Sequence, residues 1–403
     1  MIGNDSIYLD NGSTTRMDKR VFEEMIPYLT DKYGNASSTH SFGARSREAI
    51  DDARMSIADL INAEPDGIVF TSGGTESDNL ALKGIAYRHK KGNIITSTIE
   101  HPAVLNTCKY LEKNGFSVTY VPVTQEGIVE PDAINNSITS DTILISIMHA
   151  NNEIGTIQPI KEIGRIARES GIPFHTDAVQ SVGKIATDVH ALNVDMLSIS
   201  SHKFHGPKGI GALYVKKGTK LFPLAHGGGH EKGIRAGTEN VPGIVGFGAA
   251  ARMAAKEIDK NDDVKRLRDR LIDGIIDIKD TRLNGTRNPR LPNNVNISFK
   301  FIEGEGLVLA LDANGIYAST ASACSSQSLK PSHVLLAIGL MPEDAHGSLR
   351  LTLSKYNTDN EIDRVLEILP KTVESLRSIS PFTSDDEMRE FKEKHTTEVE
   401  HVH

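Results

Sequence analysis

Lys203 stands in Ser200-Ser201-His202-Lys203, directly after the apolar run Val194-Asp195-Met196-Leu197-Ser198-Ile199. In an apolar setting near other cations, a lysine can present a neutral amine and form an imine with a carbonyl cofactor. Upstream, His175-Thr176-Asp177-Ala178-Val179-Gln180 closes another short apolar run. A lysine to hold an aldehyde and an acid to pair with a ring nitrogen suit pyridoxal 5′-phosphate (PLP). A lone lysine is usually a solvated surface charge. That reading weakens here because other polar groups close equivalent runs. Asp177 has a plainer reading as a strand-end cap. Gln180, three residues on, can reach a ring oxygen. Thr71-Ser72-Gly73-Gly74-Thr75-Glu76-Ser77 follows a strand pattern and opens a helix, whose free N–H groups and dipole attract an anion. The competing reading is a helix capped by Thr75 or Ser77.

Other positions carry two readings each. His101, in Glu100-His101-Pro102, suits ring stacking or proton transfer, or a structural hydrogen bond. His149-Ala150-Asn151-Asn152 follows the strongest strand pattern, and for Asn151 ligand contact and turn formation stand equal. Cys108 recurs with Val104 and Leu111 on one helical face, as a core residue does. Cys324 lies in Ala318-Ser319-Thr320-Ala321-Ser322-Ala323-Cys324-Ser325-Ser326-Gln327, a loop pattern with no large apolar anchor. Its thiol is a nucleophile if a cation stabilises the thiolate, and otherwise a stray surface cysteine. Arg350 alternates with apolar neighbours in Ser348-Leu349-Arg350-Leu351-Thr352-Leu353, a half-buried strand pattern. Its guanidinium suits bidentate capture of a carboxylate, or an ordinary salt bridge.

The elements needed to hold these groups are legible in the alternation of short apolar runs with amphipathic stretches from about Arg16 to Lys217. This is the pattern of a mainly parallel sheet covered by helices. Candidate strands are Gly67–Thr71, Asn93–Ser97, Ser117–Val121, Thr142–Met148, Ile172–His175, Met196–Ser200 and Gly211–Val215. Helical patterns cover Glu76–His89, Ala103–Asn114, Ile160–Ser170, Pro242–Lys260 and Val264–Ile278. The run Asn294–Phe301 begins a smaller α+β unit, with Ile7–Asp10 expected beside it. A chain of 403 residues exceeds one ordinary core, so two unequal domains are expected. The net charge of −8 opposes direct nucleic-acid binding. Two cysteines exclude a disulfide framework and fit a reducing compartment. No apolar stretch spans a bilayer, and the N-terminus lacks a signal-peptide pattern, so a cytoplasmic protein is expected. The polar tail from Thr383 carries His395, His401 and His403, but no ligand spacing there supports a metal site.

Together these segments resemble the cysteine desulfurases of the NifS/IscS type, PLP enzymes of the class V aminotransferase family. The resemblance runs from about Tyr8 to Pro381. It rests on Phe70-Thr71-Ser72-Gly73-Gly74-Thr75-Glu76-Ser77-Asp78-Asn79, on Asn151-Asn152-Glu153-Ile154-Gly155, and on His202-Lys203 with Gly206-Pro207-Lys208-Gly209. Ser322-Ala323-Cys324-Ser325-Ser326 and Ser348-Leu349-Arg350 complete it. It implies the α/β PLP-dependent transferase fold of type I, with a mainly parallel seven-stranded sheet. The large domain would span 15–260; residues 1–14 and 261–382 would form the small domain carrying the cysteine loop, followed by the tail 383–403. Lys203 would be the Schiff-base lysine, Asp177 the pyridinium partner, and Gln180 the contact to the ring oxygen. His101 would stack on the ring and move protons. Thr75, Ser200 and His202 would hold the phosphate, with Gly74 in the same cofactor-binding set. Thr238, in Arg235-Ala236-Gly237-Thr238, would reach the phosphate of a neighbouring subunit, which implies a homodimer. Asn152, also at the cofactor, and Arg350 would hold the substrate carboxylate. Cys324 would take sulfur from L-cysteine as a persulfide and leave alanine. The resemblance implies sulfur supply to an iron–sulfur scaffold of the IscU type, or to tRNA thiolation. No resident metal is implied, only transient cluster ligation by Cys324. Ser201, His205 and Lys355 depart from common glycine, tyrosine and arginine in this family. Rival readings are a selenocysteine lyase, a small-substrate PLP aminotransferase, a tRNA-dependent cysteine-forming enzyme, or a sulfur carrier without catalysis.

Overall fold

The computed structural model describes residues 6–258, 261–320, 330–381 and 384. Its strands are β1 (Ile7–Tyr8), β2 (Ile68–Thr71), β3 (Asn93–Ser97), β4 (Ser117–Val121), β5 (Thr142–Ser146) and β6 (Phe174–Asp177). They continue with β7 (Met196–Ser200), β8 (Gly211–Val215), β9 (Thr281–Leu283), β10 (Asn294–Phe299), β11 (Ile316–Tyr317) and β12 (Ser348–Thr352). Seven of them pair in the order β2-β8-β7-β6-β5-β3-β4. The pairs from β4 to β7 are parallel, while β8 runs antiparallel to both β7 and β2. The expected mainly parallel sheet is therefore found, with one reversed strand near its edge. The strand expected over Ile172–His175 starts at Phe174 and runs on to Asp177. Pro173 just before it has no N–H to give a ladder.

Helices cover both faces, and the side-chain period of two sorts the sheet residues between them. Phe70, Ile95, Leu197 and Ala212 pack on one face with the helices Lys19–Thr30, Ser41–Leu60, Ile160–Glu169 and Val241–Glu257. Val69, Ile94, Met196 and Leu213 pack on the other with the helices Gly74–His89 and Pro102–Lys113. Strands buried on both faces read as continuous apolar runs, which is why these stood out in the sequence.

A separate core joins Ile7 and Leu9 to the three-stranded antiparallel sheet β12-β10-β9 and to the helices Asn261–Ile276, Gly304–Asp312 and Asp359–Ser378. β1 pairs in parallel with β11 in this second unit. A smaller cluster bridges the two, setting Ile99, Met148 and Ile154 against Val334, Leu335 and Ile338. Ligand sites in parallel sheets form beyond the carboxyl ends of the strands, so that edge is where chemistry is expected.

Candidate active site

The segments following β2, β3, β5, β6 and β7 all open onto one cavity at that edge. Asp177, Gln180, Ser200, His202 and Lys203 line it from β6 and β7. Gly74, Thr75, His101 and Asn152 line it from the other three. Lys203 ends the short turn Ser201–Lys203, and its Nζ donates to Gly12 O at 2.6 Å and Ser13 O at 2.9 Å. Asp177 is buried at the end of β6, where Oδ1 accepts the Val179 N–H at 2.9 Å. Burial pushes its carboxyl up, against the pull of Val179 and Lys203. It caps its own turn and lines the cavity as well. Asp78, not assigned any role from the sequence, lines the same cavity at 1% exposure. Its Oδ1 has no hydrogen-bond partner among the described residues. Burial, then the charge of Asp177, pushes Asp78 well above the usual carboxylate range. Behind it, His175 Nε2 lies 3.7 Å from Asp78 Oδ1, and burial holds that ring neutral by pushing it down to about 3. Two buried carboxyls so placed call for a positive group between or beside them.

The opposite end of the cavity is built for an anion. Gly73 adopts φ +154°, and a Cβ on Gly74 would meet Val179 Cγ2 at 2.7 Å. The helix Gly74–His89 has Gly73 as its N-cap, with no side-chain capping bond. Thr75 is therefore not the cap of this helix, and Ser77 Oγ bonds Gly73 O at 3.1 Å instead. The first-turn N–H groups of a helix have no intrahelical partners. Ser200 and His202 face this terminus from β7, with His202 Nδ1 3.1 Å from Thr14 Oγ1.

His101 is the N-cap of the helix Pro102–Lys113, and its Nδ1 accepts the Ala103 N–H at 3.1 Å. The neutral ring must then carry its proton on Nε2. Burial, then Lys203 and His333, pushes His101 down to about 4. Asn151 proves to be a turn former: Nδ2 donates to Ile99 O at 2.8 Å, and Oδ1 accepts from Glu153 and Ile154 N–H groups. Arg350, 2% exposed on β12, donates from Nη2 to Asp10 Oδ1 at 3.0 Å and Ser13 Oγ at 2.7 Å. Its Nη1 reaches Asn152 O at 3.2 Å, and its buried Nε has no partner among the described residues. The salt bridge and the placement beside Asn152 thus coexist.

Of the expected residues that are described, Arg350 and Thr238 do not line this cavity. Thr238 is exposed. Cys324 lies outside the described residues, as do His395, His401 and His403. The described residues flanking the segment of Cys324 are tied close to the site. Ser319 exchanges backbone bonds with Arg350 at 2.7 and 3.2 Å. On the other side, Ser332 Oγ donates to Glu153 Oε2, and His333 Nε2 lies 3.0 Å from Glu100 O. Cys108 is a buried core thiol pushed up to about 12 by burial.

The chain matches the aminotransferase class-V family over residues 7–365 and belongs to it. It is 57% identical over 383 residues to a protein of Methanosarcina thermophila named cysteine desulfurase IscS, covering 94% of this chain and 95% of that one. A solved NifS-like protein superposes with a TM-score of 0.87 at 41% identity, covering 92% of this chain and all of the other. A second solved structure, SspA in complex with cysteine, gives a TM-score of 0.78 at 40% identity over 88% of this chain and all of that one. The family depends on PLP. The residues present fit that group: an amine at Lys203, the buried acid Asp78 whose Oδ1 lacks a hydrogen-bond partner among the described residues, with Asp177 beside it, and a helix N-terminus with Ser200 and His202 in the same cavity.

Proposed function

We infer that this chain is a PLP-dependent cysteine desulfurase, moving the sulfur of L-cysteine to Cys324 and releasing alanine. The observation that carries the reading is the meeting of Lys203 with the buried acids Asp177 and Asp78 over one cavity. Similarity to proteins named for this activity supports it. PLP, when bound, supplies an electron sink for the bonds at the substrate Cα.

The chain's own residues do the rest. Lys203, whose Nζ now donates to the Gly12 and Ser13 carbonyls, would hold the cofactor and would take the substrate Cα proton and return it. Asp177, with Asp78 behind it, answers a positive ring nitrogen. Gly74, Thr75, Ser200 and His202 would hold the phosphate, and Gln180 would contact the ring oxygen. Arg350 exchanges Asp10 and Ser13 for the substrate carboxylate, with Asn152 beside it. Cys324 as thiolate forms the new S–S bond while the substrate Cβ–S bond breaks. The electron pair stays on the three-carbon product, which a proton completes to alanine. A free thiol ionises near pH ~8.5, so a base must take its proton at neutral pH. His101 is neutral there, and its lone pair is on Nδ1, so acting as that base breaks its bond from Ala103.

The same reading makes 15–260 the large domain and 1–14 with 261–382 the small one, in keeping with the separate cores. It makes the protein a cytoplasmic homodimer in which Thr238 serves the neighbouring phosphate, and it gives an IscU-type scaffold as sulfur acceptor. No helix among the described residues is long and apolar enough to cross a membrane. Alanine release from L-cysteine tests the reading. Cys324→Ala is expected to keep PLP and lose nearly all turnover with cysteine. Unchanged turnover would point instead to an aminotransferase or a selenocysteine lyase.

A further inference from the structure

Lys184 is a buried lysine to which the reading above gives no role, yet it is wired to the site. Its Nζ donates to Gln180 O at 2.9 Å and to Gln180 Oε1 at 3.2 Å. Gln180 Nε2 in turn donates to Gly12 O at 2.9 Å, the carbonyl that also takes the 2.6 Å bond from Lys203 Nζ. Lys184, Gln180, Gly12 and Lys203 therefore form one hydrogen-bonded chain. Lys184 and Lys203 also line a second cavity together, on the side of Lys203 that carries Glu257 and Lys355. Asn261 fixes the backbone of Lys184 through a 2.9 Å bond to its carbonyl.

The polarity of this chain admits one arrangement. An ammonium only donates, and a carbonyl only accepts. Turning the Gln180 amide over would set its NH2 against the Lys184 ammonium and its oxygen against Gly12 O. In this arrangement both ends are satisfied, and among the described residues one Nε2–H remains beyond the bond to Gly12.

We propose that Lys184 is a positioning residue that fixes the Gln180 amide with its NH2 end toward the cofactor ring oxygen and sets a second positive charge beside Lys203. The proposal rests on the PLP reading given above. Burial, then the charge of Lys203, pushes the Lys184 amine down to about 7, so its charge is shared out across neutral pH. A cation next to a lysine nitrogen makes that nitrogen give up its proton more readily. The other titratable groups facing this cavity are His205, whose ring is held neutral by burial that pushes it down to about 4, Glu257 and Lys355, and Glu257 is engaged by Lys355 at 2.7 Å.

The test is a pH titration of the visible absorbance of the PLP-loaded protein without substrate, run beside PLP affinity measurements. Lys184→Met removes donor and charge at similar length. Its spectral midpoint is expected to move to higher pH by roughly half a unit to one unit, and its PLP affinity to fall several-fold. Lys184→Arg is expected to hold the midpoint near that of the unmodified protein. In a Gln180→Ala background, Lys184→Met should cost less PLP affinity than it does alone, because the shared contact is already gone. A midpoint unmoved in Lys184→Met, or equal affinity losses in both backgrounds, would overturn the proposal. Should Lys184→Met not fold, Lys184→Gln is read against the same two outcomes. Failure of the unmodified protein to take up PLP would instead overturn the reading on which it rests.

Discussion

Glu153 follows the paired asparagines and is buried against Ser332, the residue that caps the helix His333–Ala337. Burial pushes its carboxyl up to about 7, with the Ser332 bond and Arg350 opposing. A carboxyl raised in the fold binds more protons there than in the unfolded chain. Its share of stability is present below the unfolded value, near 4.5, and is lost as pH rises through about 7. Glu153→Gln keeps the shape without the charge. Thermal unfolding should find it level with the parent protein at pH 5 and more stable at pH 8, by on the order of 3 kcal/mol. Equal melting temperatures at both pH values would show that Glu153 is not buried as an acid. Lys203, Asp177 and His101 were legible from sequence because each closes an apolar run. Asp78 and Lys184 were not. Asp78 reads as a polar residue in a helix start, and Lys184 as a turn lysine. Only the packing of the Gly74–His89 helix over the strand ends, and of Asn261 against Lys184, buries them.

The anion end of the cavity depends on how closely β8 approaches the loop after β2. A Cβ on Gly211 would meet Ile199 O at 2.5 Å and Gly73 Cα at 2.7 Å, both backbone atoms that cannot swing aside. Gly211→Ala is expected to cost about 1–3 kcal/mol in urea unfolding and to weaken PLP binding together with it. Full PLP affinity in that variant would mean the loop does not need the approach. At this scale the sequence served well, because strands buried on both faces announce themselves as apolar runs. The reversal of β8 left no such mark, since an apolar run reads the same in either direction. The loop bearing Cys324 was recognisable only by its small residues, and the segments on either side of it are fixed by contacts distant in sequence, Ser319 to Arg350 and Ser332 to Glu153.

Across the whole molecule, the two cores meet at a charged junction that no local pattern reveals. Lys355 Nζ bonds Asp18 Oδ2 at 3.1 Å and Glu257 Oε2 at 2.7 Å, and Tyr356 OH donates to Asp18 Oδ2 at 2.7 Å. Arg20, with Tyr356 and Lys355 adding, holds the Asp18 carboxyl well below the usual range. Lys355→Met removes one of the two cations that Asp18 and Glu257 share, leaving Arg20 at 2.9 and 3.3 Å, and should cost about 1–2 kcal/mol in denaturant unfolding. An unchanged midpoint would make the junction incidental. The same junction lies beside the cavity shared by Lys184 and Lys203, so the fit between the two cores bears on the site itself. The central claim, however, is chemical. It is tested most directly by mass spectrometry of the PLP-loaded protein after a short exposure to L-cysteine. The account predicts one added sulfur on the peptide bearing Cys324, with alanine in solution, and neither in Lys203→Ala. Alanine without added sulfur, or added sulfur that persists in Lys203→Ala, would contradict it.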